Sequence, residues 1–188
     1  MEDTVRPVER RLWTLPNLVT LSRIPMAALV WLRPNDPVYV LGLMAVAALS
    51  DVLDGWLERR RRERRGEPTA TGESMGTWLD PLCDKVFILS VLVAITHSHG
   101  LPLWIVPLIA LREILQTLIV GATRVIPAVR DRLRPRFRAN LLGKATTVVQ
   151  FLTIAAILLD WPYRIPLAFA TAALGLIAVA VYVRRALA

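Results

Sequence analysis

The chain has 188 residues, 55% of them hydrophobic, with a formal net charge of +8 and a mean hydropathy of +0.49. That balance leaves too little polar side chain to clothe a water-soluble domain of this length. The basic residues stand in blocks between apolar runs, which argues against nucleic acid as a partner, and Cys83, the single cysteine, excludes an internal disulfide.

Residues 1–14 read as a short cytoplasmic lead, with Trp13 where an aromatic ring favours the membrane interface. Six apolar runs follow: Leu15–Leu32, Val38–Leu57, Thr77–Thr96, Pro102–Ala122, Leu141–Leu159 and Ile165–Val183. Each is near the ~20 residues that a helix needs to cross hydrocarbon. Breakers occupy the joints: Pro34 and Pro37, Gly100 and Pro102, Pro127 and Pro135, Pro162 and Pro166. No alternation suggests strands, so the fold class is an all-α membrane protein of six transmembrane helices. The first run carries no small-residue cleavage site after it and reads as a retained span.

Charge sets the orientation. Arg6, Arg10 and Arg11, the arginines from Arg59 to Arg65, those from Arg124 to Arg138 with Lys144, and Arg184 with Arg185 all fall on one side; the opposite loops hold only Arg33 and Arg164. Positive residues stay inside, so both termini are expected in the cytoplasm, in a bacterial-type inner membrane. His97 and His99 then lie in an outer turn, read as a solvated loop. Residues 1–188 form one domain, with a basic cytoplasmic loop at 60–75. Its first half should continue the second helix, helped by Glu63 four residues from Arg59, until Gly66 and Pro68 end it.

Four aspartates interrupt the apolar text. Asp51 and Asp54 are three apart near the end of the second run; Asp80 and Asp84 are four apart near the start of the third. Each spacing puts a pair on one helical face. Carboxylates near mid-membrane cost about 2.5–3.5 kcal/mol each, so four of them point to a use. A short connection makes the two helices antiparallel neighbours, with both pairs about 5–9 Å inside the cytoplasmic end, in a polar cavity open to the cytoplasm. Hard divalent cations are the natural partners of such a cluster, and two ions can clamp a pyrophosphate. Gly55 and Gly76 allow close approach, Arg59 can grip a phosphate, and one carboxylate can take a proton from an attacking hydroxyl. A divalent-cation transporter is the rival from another class, although the acids sit on one side only and no second half mirrors them.

These residues resemble the signature of the CDP-alcohol phosphatidyltransferases, D-x-x-D-G-x-x-A-R followed by G-x-x-x-D-x-x-x-D. Asp51, Asp54, Gly55, Arg59, Gly76, Asp80 and Asp84 match it in order. There are two departures. Glu58 stands where the family has Ala, and the spacer at 60–75 is longer than usual, which leaves an inactive scaffold of the same fold as a further alternative. The resemblance implies six transmembrane helices, a homodimer, and transfer of a phosphatidyl group from CDP-diacylglycerol to an alcohol with release of CMP. It implies two Mg²⁺ or Mn²⁺ ions among Asp51, Asp54, Asp80 and Asp84, with Asp84 as the base. The segment from Pro16 to Arg23 is similar to the family's P-N-x-x-T-x-x-R, which puts Asn17 and Thr20 near the donor. Gly143, Lys144, Thr147 and Gln150 resemble the G-K-x-x-T-x-x-Q segment of the phosphatidylglycerophosphate synthase branch, and Arg112-Glu113 its R-E pair. Lys144 and Arg112 would suit the phosphate of glycerol 3-phosphate, the favoured acceptor. Cardiolipin synthases, which use phosphatidylglycerol, share the D-P-L-x-D-K seen at Asp80–Lys85 and remain the alternative; inositol phosphate ranks below both.

Overall fold

The computed structural model describes residues 15–65, 76–126 and 141–187. All regular structure among them is helical. Helix α1 (Leu15–Leu29) tightens into a 3₁₀ turn at Val30–Leu32, and α2 spans Pro37–Arg65, α3 Gly76–Ser98, α4 Ile105–Ile109, α5 Leu111–Val125, α6 Leu141–Leu158 and α7 Arg164–Leu187.

Local chemistry accounts for the boundaries. Asp36 caps α2, its Oδ1 accepting from the Tyr39 N–H at 3.1 Å, and Pro37 fills the first helical position, where its missing N–H costs nothing. The helix runs through 29 described residues, about 43 Å, to Arg65; Gly66 and Pro68, expected to end it, lie outside the described residues. Helix α3 closes on a left-handed Gly100 (φ +63°), with the Leu101 N–H donating to the Thr96 carbonyl at 2.9 Å. The corner after α6 repeats this with Asp160 in the left-handed position (φ 49°) and the Trp161 N–H on the Ala156 carbonyl at 2.8 Å. An Asp160–Arg164 ion pair spans that corner. Because a Cβ at Gly100 meets no clash but the backbone is left-handed, Gly100→Ala is expected to lower stability by about 1 kcal/mol, measured as a drop in detergent-solubilised Tm.

The fourth apolar run differs from its expected single helix. It breaks at Ala110 (φ −85°, ψ 8°) into α4 and α5. Hydrogen bonds from Ala110 N–H to Val106 and from Ile114 N–H to Ala110 carry the ladder across the kink.

Helix α1 packs mainly on α3, and α6 on α7, with α4 and α5 also against α7. The core draws Val30, Val40, Val91, Leu92, Ile95, Ile105, Ile109, Ile154 and Ile157 into one cluster. Polar groups stitch the helices where carbonyls or hydroxyls meet apolar surroundings: Trp31 Nε1 donates to Ser90 Oγ (3.0 Å), which donates to the Ala27 carbonyl (2.9 Å), and Thr153 bonds Thr171 (2.8 Å) between α6 and α7. Outside, Leu32, Val38, Leu118, Val148, Leu159 and many other large apolar side chains are exposed, far more than a water-facing surface carries. Among the described residues one helix, Arg164–Ala186, is long and apolar enough to cross a membrane; shorter apolar helices lie at Leu21–Leu32, Pro37–Ser50 and Leu142–Leu158.

Among the described residues α2 and α3 line one cavity, with Met44 and Ala47 from α2 and Phe87 and Ile88 from α3, while α1 packs closely on α3.

Candidate active site

The cavity has a volume of about 470 Å³ and receives side chains from five helices. Its apolar walls come from Met44, Ala47, Ala48 and Val52 of α2, Phe87 and Ile88 of α3, and Phe151 of α6. Its polar groups are Arg23 of α1, Asp84 and Lys85 of α3, Glu113 of α5, and Thr147 and Gln150 of α6.

Asp84 is brought to this cavity as its helical position requires. Arg23 crosses from α1 to form an ion pair with it. Arg23 is buried, at 4% exposure, whereas the Asp84 side chain keeps 44%, so the carboxylate remains reachable from the cavity while its charge is balanced from behind. The alkyl stem of an arginine suits this role, since it packs as hydrocarbon and delivers only its head to the partner.

A second polar group lies on the α5–α6 side. Thr147 Oγ1 donates to the Gly143 carbonyl at 3.1 Å, which turns a lone pair toward Arg112, whose Nη1 donates to it at 2.9 Å. The same Nη1 is 3.7 Å from Glu113 Oε1. Gln150, almost fully buried, donates through Nε2 to Glu113 Oε2 at 3.3 Å and to the Ile109 carbonyl, beside the kink, at 3.4 Å. Glu113 is therefore held from two sides, and the Lys85 ammonium lies within its electrostatic reach. The cavity floor is a set of fixed donors and acceptors facing apolar walls, an arrangement suited to a ligand with a polar end and a hydrocarbon end.

The residues singled out in the sequence are distributed as follows. Asp84 lines the cavity. Arg112 does not line it; its guanidinium reaches the wall from behind, at Thr147. Lys144 is exposed, one residue from Gly143 near the start of α6. Asp51, Asp54, Gly55 and Arg59 fall within α2, Gly76 and Asp80 within α3, and Asn17 and Thr20 within α1, so the helices that the spacing argument needs are present; their side chains, like that of Glu58, lie outside the described residues. The loop at 60–75 is described only through Arg65, in α2. Lys85 and the apolar wall were not identified as site residues from sequence, because a lysine beside Asp84 and scattered Met, Ala and Phe read as flanking charge and core.

Asp84 presents one accessible carboxylate at the cavity wall, an oxygen ligand of the kind that Mg²⁺ and Mn²⁺ prefer; Asp51, Asp54 and Asp80 fall within α2 and α3, and among the described residues no group of three or more such side chains forms a cluster.

Comparison with known proteins identifies the family. The family model for CDP-alcohol phosphatidyltransferase matches residues 13–183. A cardiolipin synthase (CMP-forming) of Streptomyces coelicolor is 32% identical over 73% of the chain and 61% of its own length. The human cardiolipin synthase (CMP-forming) is 29% identical over 77% of the chain and 50% of its own length. A CDP-diacylglycerol–glycerol-3-phosphate 3-phosphatidyltransferase of Escherichia coli is 31% identical over 88% of the chain and 87% of its own length. The chain thus spans only half to three-fifths of the length of these two cardiolipin synthases. No solved structure matches it. With a family model covering nearly its whole length and the fourth aspartate of the signature standing in the cavity, the chain belongs to the CDP-alcohol phosphatidyltransferase family.

Proposed function

We propose that the chain is an integral membrane enzyme that moves a phosphatidyl group from CDP-diacylglycerol to an alcohol acceptor and releases CMP. The observation that carries this reading is the cavity itself, in which an accessible aspartate and fixed polar groups face an apolar wall. A lipid donor and a polar acceptor need such a two-faced site. The basic blocks and the exposed apolar surface support six spans, with both termini and the site at the cytoplasmic side of a bacterial-type inner membrane. Family resemblance supports a homodimer.

In the reaction, Asp84 accepts the proton of the acceptor hydroxyl. The hydroxyl oxygen forms a bond to the phosphorus that carries the diacylglycerol, and the bond from that phosphorus to the CMP oxygen breaks. Arg23 holds the Asp84 carboxylate in position. Asp51, Asp54, Asp80 and Asp84 would hold two Mg²⁺ or Mn²⁺ ions, which when bound neutralise the pyrophosphate and its leaving oxygen. Arg59, with the close approach allowed at Gly55 and Gly76, grips the donor phosphates, and Asn17 and Thr20 lie on the donor side. Arg112 and Lys144 take the acceptor phosphate, which favours glycerol 3-phosphate. The apolar wall of Met44, Val52, Phe87 and Phe151 favours a second reading, in which the acceptor is phosphatidylglycerol.

The deciding experiment is CMP release from CDP-diacylglycerol by purified protein with Mg²⁺ or Mn²⁺. Turnover is expected to be greatest with glycerol 3-phosphate. Greater turnover with phosphatidylglycerol moves the assignment to the second reading, and no CMP with either of these or with inositol phosphate or serine overturns the enzyme.

A further inference from the structure

Arg112 follows an unusual route. Its backbone and Cβ lie against α7 at Gly175, and its guanidinium reaches α6 at Gly143, the described glycine of each helix. A Cβ at Gly175 would stand 3.1 Å from Arg112 Cβ and 3.5 Å from its backbone N, and a Cβ at Gly143 would stand 3.3 Å from Arg112 Nη2. The first contact is tight against main chain, so α5 and α7 would have to separate; the second is tight against the guanidinium, so the head would have to move. Among the other described helical glycines, Gly42 and Gly121 have nothing within 4 Å of such a Cβ.

The head is also held in an exacting way. Nη1 donates to Thr147 Oγ1, whose own hydrogen is committed to the Gly143 carbonyl. Nε is buried with no partner. A buried donor left unsatisfied is costly, so this side chain is placed by packing constraints and not by the best set of local hydrogen bonds. Small residues on two helices thus fix the stem, and one hydroxyl fixes the rotation of the fork.

We infer that Gly143 and Gly175 are positioning residues: they set where the Arg112 guanidinium stands against Thr147, the residue through which it meets the cavity wall. The inference rests on the reading of Arg112 as a ligand of the acceptor phosphate. It assigns Gly143 a steric purpose beside Lys144 and gives Gly175, outside every motif discussed above, a part in acceptor affinity. Displacements of a few tenths of an ångström at a binding group are enough to weaken a directional contact.

The test is steady-state kinetics of full-length protein with CDP-diacylglycerol and the acceptor that gives turnover. Gly143→Ala is expected to raise acceptor KM by about tenfold, with donor KM and kcat at saturating acceptor retained. Gly121→Ala, on the same helix as Arg112, is expected to change neither. In an Arg112→Lys background, where Nη2 no longer exists, Gly143→Ala should add nothing. Gly175→Ala should weaken the acceptor in both backgrounds, because lysine keeps the Cβ and backbone N that it meets. Thr147→Val, which adds no bulk at Gly143 but removes the hydroxyl acceptor, should also raise acceptor KM, so the proposal stays testable if the alanine variant does not fold. A Gly143→Ala effect that is equal in both backgrounds overturns the inference. So does an unchanged acceptor KM in Gly143→Ala or Thr147→Val while Arg112→Lys raises it. If Arg112→Lys itself leaves acceptor KM unmoved, the reading of Arg112 falls and the inference with it.

Discussion

Asparagine at position 84 is expected to lower CMP release by about 10²–10⁴-fold while donor binding is largely kept. That range is what a positioned general base contributes to a proton transfer. The carboxamide fills nearly the same volume and keeps an oxygen for Arg23, so packing at the cavity wall changes little. What it loses is the negative charge and the ability to take the hydroxyl proton. It also removes the counter-charge facing a buried guanidinium. Disrupting a fully buried pair costs about 3–5 kcal/mol, but the 44% exposure of the Asp84 side chain lets water share the load, so the loss of stability should be a fraction of that. Activity and stability therefore separate: turnover collapses, whereas Tm falls by a few degrees. CMP release measured beside equilibrium binding of CDP-diacylglycerol decides the matter. A parallel loss of donor binding would make Asp84 a ligand first, and unchanged turnover would remove it from the chemistry.

The sequence and the structure agree where the physics is local. Spacing alone put Asp84 on a helical face, and the structure carries that face to the cavity. Gly100 marked the corner after α3, because a breaker acts within a turn of itself, whereas Gly66, expected to end α2, lies outside the described residues. Asp160 shows the limit of that reading: it takes the left-handed corner after α6, where no glycine signals it, and the ion pair to Arg164 accompanies that conformation. The break at Ala110 was hidden for a related reason, since alanine is the strongest helix former, and the structure shows α4 and α5 packing on α7 from either side of the break. At the site, the motif text gave Arg112, Gly143, Thr147 and Gln150 as isolated letters. Their relation is tertiary: Gly143 accommodates Arg112, Thr147 turns it, and Gln150 steadies the neighbouring Glu113. Gly175 carried no signal at all, because a small residue in an apolar run looks the same whether it borders lipid or an arginine.

Removing the guanidinium outright should have the second-largest effect. Arg112→Ala is expected to raise acceptor KM by about 10–100-fold with much less effect on donor KM. A hydrogen bond to a charged group contributes about 1.5–3 kcal/mol, and each 1.4 kcal/mol is tenfold in affinity. The acceptor is the substrate concerned because Arg112 approaches the cavity from the α5–α6 side, at Thr147, whereas the signature aspartates lie on α2 and α3. The variant has a structural cost too. The stem and the head that met Gly143 disappear, two helices lose a shared contact, and Glu113 keeps Gln150 but loses its nearest cation on α5. Lysine restores the charge and most of the stem but not the fork, so Arg112→Lys should recover Tm more fully than acceptor KM. That split separates binding from scaffolding. If alanine and lysine lower Tm together and leave acceptor KM alone, Arg112 is a strut between helices, and the acceptor phosphate must be held by Lys144 or Lys85.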